Sequence, residues 1–85
     1  MMVRYRTVFT RQALDFICRA SDAEMHELDA WFNRIERQPG LPGDYTEVGD
    51  AGRELQVTCL PHLAVTHWTD HAVREIRIMK IESVA

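Results

Sequence analysis

The chain is poor in cysteine, has no long hydrophobic run and carries no excess of positive charge, and each shortage excludes something. Two cysteines in 85 residues, Cys18 and Cys59, are too few for a disulfide framework, which points to a reducing cytoplasm. No apolar stretch approaches the roughly 20 residues that a membrane-spanning helix requires. The opening Met1-Met2-Val3-Arg4-Tyr5-Arg6 lacks the apolar segment of a secretory signal. The expectation is therefore a cytoplasmic chain without membrane contact. Ten Arg and Lys stand against thirteen Asp and Glu, a formal net charge of −3, so the broad basic surface of a general nucleic-acid binder is missing. Internal repeats, low-complexity tracts and linkers are missing too.

What is present suits one small soluble domain spanning residues 1–85, with 46% apolar and 27% charged residues in 9.9 kDa. Charge is unevenly spread. Residues 1–42 hold six cations and six anions, whereas residues 43–85 hold four against seven. Two local basic clusters stand out. Arg4, Arg6, Arg11 and Arg19 share the first nineteen residues with only Asp15; Arg74, Arg77 and Lys80 lie near the C-terminus, interleaved with Glu75 and Glu82. Either cluster can serve a partner, or be a solvated face with ordinary ion pairs.

Residues 2–9 alternate, Val3, Tyr5, Thr7 and Phe9 against Arg4 and Arg6, which predicts a strand. Thr10 is placed to cap a helix from Arg11 to Ala20 with Leu14 and Ile17 inward. Ser21 and Glu24 have capping-box spacing, and Met25, Leu28, Trp31, Phe32 and Ile35 then recur at helical spacing until Pro39-Gly40. Beyond Leu41-Pro42-Gly43 the period becomes two. Strands are predicted at 44–48, 53–60, 63–69 and 72–82, separated by Gly49-Asp50-Ala51-Gly52, Pro61-His62 and Asp70-His71. Short turns demand antiparallel neighbours, so the order β-α-α-β-β-β-β gives a two-layer α+β domain, an antiparallel sheet with a helical hairpin on one face. The other face is left uncovered. Alternation does not decide whether His67 or Trp68 lies on it. Cys18 and Cys59 read as small buried hydrophobes.

This order, with Gly52-Arg53-Glu54-Leu55-Gln56-Val57, Leu63-Ala64-Val65-Thr66-His67-Trp68 and Val73-Arg74-Glu75-Ile76-Arg77-Ile78 as its strand segments, resembles the RelE/ParE superfamily of toxins. The resemblance spans nearly the whole chain. It implies strand order 1-5-4-3-2, membership of a bacterial toxin–antitoxin operon and inhibition by an antitoxin protein wrapped on the surface. It also implies one of two targets: messenger RNA on the ribosome, cut by RelE-like members, or DNA gyrase, bound by ParE-like members. Against the family pattern, Glu54, Gln56 and Leu63 fall where basic residues are expected, and the C-terminal extension is reduced to Ser83-Val84-Ala85.

RNA cleavage by 2′-hydroxyl attack needs a base, an acid and a cation at the phosphorus. The candidate catalytic residues are Arg53, His67, Arg74, Arg77 and His71; for binding, the candidates are Arg4, Arg6, Trp68 and Met79 on the open face. The competing reading makes His62 and His71 polar turn residues and His67 a half-buried strand residue. His67-x-x-Asp70-His71 offers too few ligands for zinc, and Gly49-Asp50-Ala51-Gly52 lacks the Lys-Ser/Thr of a phosphate loop, so neither metal nor cofactor is expected. Three readings stay open: an endoribonuclease toxin, a non-catalytic toxin or regulator that binds a protein, and a homodimeric interaction domain.

Overall fold

Hydrogen bonds made by Thr10 and Ser21 open the two helices. In the computed structural model, which describes residues 4–84, Thr10 Oγ1 accepts from Ala13 N–H, and Ser21 and Glu24 make both bonds of a capping box. The elements are β1 (Arg6–Phe9), α1 (Arg11–Arg19), α2 (Asp22–Arg37), β2 (Tyr45–Val48), β3 (Glu54–Cys59), β4 (Leu63–Asp70) and β5 (Glu75–Ser83). Met2 and Val3, assigned to the first strand by alternation, lie outside the described residues, as does Ala85.

The five strands pair in the order β1-β5-β4-β3-β2, the order that the resemblance implies. The sheet is mixed rather than antiparallel throughout. The hairpin-linked strands β2 to β5 are antiparallel, but β1 runs parallel to β5, with Arg6 opposite Glu75 and Phe9 opposite Ile78. A short turn dictates the direction of consecutive strands only. No turn joins β1 to β5, so their relative direction depends on where the helices deliver the chain.

The helices cover one face. Leu28, Trp31 and Ile35 of α2 and Ala13 of α1 pack with Leu63, Val65, Ile76, Ile78 and Ile81, all nearly or fully buried. In α1 the inward stripe is Ala13, Phe16 and Ile17; Leu14, expected inward, is half exposed. A small residue at position 13 lets α1 lie close to β5. Both cysteines are exposed and free, contrary to their reading as buried hydrophobes. Cys18 is one helical step beyond Ile17, about 100° round the helix, and Cys59 ends its strand. Gly43 carries the connection from α2 against β3, where a side chain is excluded: a Cβ would stand 2.6 Å from the Val57 carbonyl oxygen.

β5 outruns β1, and the side chains that follow β1 complete its pairing. Thr10 N–H bonds the Ile78 carbonyl (3.0 Å), and Thr10 Oγ1 donates to the Met79 carbonyl (2.7 Å). The Gln12 amide both donates to the Ile81 carbonyl (2.9 Å) and accepts from Ile81 N–H (3.1 Å). Edge groups that would otherwise lose their partners are thus satisfied. At the same place β5 carries a bulge: Thr66 faces Lys80 and His67 faces Ile78, which leaves Met79 as the extra residue.

Candidate functional site

Strand parity and the bulge together distribute the chemistry over the two faces of the sheet. On β4, Leu63, Val65 and His67 point to the helices, so Ala64, Thr66 and Trp68 point to the open face. On β5, Ile76, Ile78 and Ile81 face the helices, while Glu75, Arg77 and Lys80 face away. In a regular strand, with Met79 paired like its neighbours, Lys80 would fall on the side of Ile76 and Ile78. The bulge turns it to the open face.

A cleft of about 830 Å³ occupies this face, bordered by the end of β1, by β5, β4 and β3, and by the Gly49–Gly52 turn. Its chemistry comes from Arg53, Trp68, Arg77, Lys80 and Glu47. The Arg53 guanidinium carbon lies 3.7 Å from the centroid of the Trp68 ring and that of Arg77 lies 5.6 Å from it, so one indole orients two cations. Arg77 Nη2 also donates to Glu75 Oε1 (2.7 Å), and its buried Nε has no hydrogen-bond partner among the described residues. Lys80 Nζ stands 3.8 Å from Glu47 Oε1 and 3.4 Å from Glu82 Oε1. Glu47 is on β2, three strands from Lys80; at about 4.8 Å per strand that approach requires long side chains and a sheet curled toward the open face. Arg53 makes no ion pair among the described residues. Such a cleft can hold an anion between guanidiniums, offer an aromatic surface, and supply a carboxylate and an ammonium for proton transfer.

Of the residues picked out from sequence, the cleft gathers Arg53, Arg77, Trp68 and Met79. The others lie elsewhere. Arg74 sits in the turn before β5 rather than on a strand, and with Arg4 and Arg6 it lines a separate hollow at the outer side of β1. His71 Nδ1 is 2.7 Å from the Tyr5 hydroxyl, at the far end of β4. His62 Nδ1 is 2.6 Å from Glu27 Oε2, and this hydrogen bond holds the Glu27 carboxyl below the usual carboxylate range. Glu54, Gln56 and Leu63, where the family pattern places cations, do not face the cleft: Leu63 is in the core and Gln56 accepts the Gly43 N–H (2.8 Å). Arg53, Arg77 and Lys80 supply the positive charge instead.

His67 lies on the helix side, 1% exposed, with its ring 5.0 Å from that of Trp31. Burial pushes its pKa down from 6.5 to about 4. Above pH 6.5 the imidazole is neutral in both the folded and the unfolded chain. As pH falls below 6.5 the unfolded chain binds the proton and the folded chain does not, so stability drops until about pH 4 and then levels off. The loss is worth about 3 kcal/mol. Urea unfolding of the parent between pH 7 and 4.5 is expected to show this slope, and His67→Leu to flatten it. Equal slopes in both proteins would remove His67 as its source.

Lys80 entered the sequence reading only as a member of the C-terminal basic cluster, and neither it nor Glu47 nor Glu75 was among the candidate site residues. A signal for Lys80 was there: the isoleucines of the last strand run 76, 78, 81, and the three-residue step marks the bulge that reverses parity. Glu47 and Glu75 had no such mark, since only the curl of the sheet and the β1–β5 pairing place them.

No family model matches the chain, and no curated protein matches it significantly. Among solved structures, a chain of the toxin–antitoxin complex RelBE2 from Mycobacterium tuberculosis superposes with a TM-score of 0.76 over 96% of this chain and 100% of its own length, at 13% identity. The fold is therefore RelE-like, two helices on a five-stranded sheet of order 1-5-4-3-2.

Proposed function

We propose that this chain is the toxin component of a bacterial toxin–antitoxin pair, and that its open-face cleft acts on messenger RNA as an endoribonuclease in the cytoplasm. The RelE-like fold supports the toxin class. The observation that carries the RNA reading is the Arg53–Trp68–Arg77 stack in the cleft that Lys80 also lines: on a chain of net charge −3, two of the ten cations meet over one aromatic ring and a third shares their cleft. In the proposed reaction a 2′-hydroxyl attacks the adjacent phosphorus. The P–O2′ bond forms, the P–O5′ bond breaks, and a cyclic phosphate results. The phosphate enters between Glu47 and Lys80 and parts that pair. Glu47 takes the 2′ proton and the Lys80 ammonium returns one to the leaving 5′ oxygen. Arg53 and Arg77 stabilise the charge that gathers on the phosphorane. An antitoxin protein inhibits by covering the cleft.

A second reading, a toxin that binds a protein target of the gyrase type without cleavage, is favoured by the carboxylates Glu47, Glu75 and Glu82. They pair two of the three cleft cations and weaken the field available to a phosphate. Inducing the gene in a bacterium while following colony growth and messenger integrity separates the readings. Growth arrest with fragmented messenger is expected. Arrest with intact messenger selects the protein-directed reading, and unimpaired growth rejects the toxin assignment.

A further inference from the structure

Glu75 opens β5 on the open face, yet the residue is only 8% exposed, because two guanidiniums close over it. Arg6 donates to Glu75 Oε2 from Nη2 (2.7 Å) and Nε (3.3 Å), and Arg77 donates to Oε1 (2.7 Å). Arg77 in turn reaches toward Trp68, which carries Arg53. The side chains Arg6, Glu75, Arg77, Trp68 and Arg53 thus form one file across the sheet, from the β1 edge to the start of β3, with three positive charges and one negative. The file does not stop at Arg6, whose side chain is 76% exposed. Arg4 and Arg74 line the hollow beside it, whose one carboxylate among the described residues, Glu36, accepts from Thr7 Oγ1 (2.9 Å). Arg74 is the one non-glycine described residue in the left-handed region, at φ 56°, and its carbonyl accepts the Arg6 N–H (3.1 Å). A conformation that costs free energy in a non-glycine residue here locks the turn to β1 and keeps Arg74 beside Arg6. Two clusters some 70 positions apart in sequence become one basic edge through the parallel β1–β5 pairing.

We propose that a single-stranded RNA held in the cleft runs on over the β1 edge, where Arg6 and Arg74, with Arg4 beside them, bind its phosphodiester backbone as a second subsite without base specificity. The inference rests on the RNA reading of the cleft. Glu75 fixes the distance between the two subsites by holding Arg6 and Arg77 on its two oxygens.

The test uses the full chain and two fluorescent oligomers of 2′-deoxyuridylate, a trinucleotide and a decanucleotide, which lack the attacking hydroxyl. In the double variant Arg4→Gln, Arg74→Gly, which leaves the Arg6–Glu75–Arg77 contacts in place, the glycine keeps the left-handed turn accessible. For the decanucleotide, the slope of log K against log salt is expected to fall by about 1.4, at about 0.7 per lost phosphate contact. Trinucleotide binding is expected to match the parent. An unchanged slope with the decanucleotide, or an equal loss with both oligomers, overturns the second subsite while leaving the cleft reading intact. If the parent binds neither oligomer, the RNA reading of the cleft falls, and the subsite with it.

Discussion

Replacing Arg77 with alanine is expected to abolish the growth arrest caused by the induced protein and to slow messenger cleavage by about 100-fold to 1,000-fold, the usual cost of removing one pre-aimed donor from a developing oxyanion. Two contacts fix this side chain before any substrate arrives, the Glu75 carboxylate at 2.7 Å and the Trp68 ring. Little reorganisation is then needed at the moment of reaction. The same substitution leaves Glu75 with Arg6 as its remaining partner, so a thermal melt must accompany the assay. Arg77→Lys serves as the companion: it keeps a charge but loses the planar fork, and is expected to recover stability more fully than activity. Cleavage at the parental rate by a folded Arg77→Ala protein would remove the cleft from the chemistry.

The two tryptophans are expected to behave oppositely. Trp31, 3% exposed and packed between Phe32 and His67, is a core residue, and Trp31→Ala should cost about 3–5 kcal/mol. At about 0.05–0.15 kcal/mol per residue, a chain of 85 residues has about 4–13 kcal/mol to lose, so this is a large share of its stability. The urea midpoint of the variant should fall steeply. Trp68 lies half-buried on the open face, where its ring orients Arg53 and Arg77. Trp68→Ala should retain most of the stability and lose the activity. Urea midpoints of the two variants, read beside the growth assay, check both halves. A Trp68→Ala protein as unstable as Trp31→Ala would make the indole a packing residue.

Much of the architecture could be read along the chain because it is written in local terms. Thr10 and the Ser21–Glu24 pair are capping residues by virtue of their own side chains, and they cap where expected. Leu28, Trp31 and Ile35 fall on one helical stripe, and that stripe is buried. The turns after β2, β3 and β4 force antiparallel pairing whatever else the chain does. The site was less legible. The residues Leu63 to Trp68 are apolar or weakly polar at both parities, so period-two reasoning could not choose between His67 and Trp68. Packing chose, by setting the imidazole against Trp31. His67 was thereby removed from the candidate chemistry of the open face and Trp68 brought to its centre.

The sequence by itself determined the kinds of element, most of their limits within a residue or two (β1 and β5 begin four and three positions later than the alternation predicts), and the buried stripe of the second helix, since each depends on neighbours no more than a few positions apart. Only the tertiary structure decided that β1 lies parallel to β5, that the bulge at Met79 turns Lys80 outward, and that Arg6 and Arg77 share one carboxylate. Those arrangements join residues far apart along the chain, and their positions follow from the packing of whole elements, which no local pattern of side chains records.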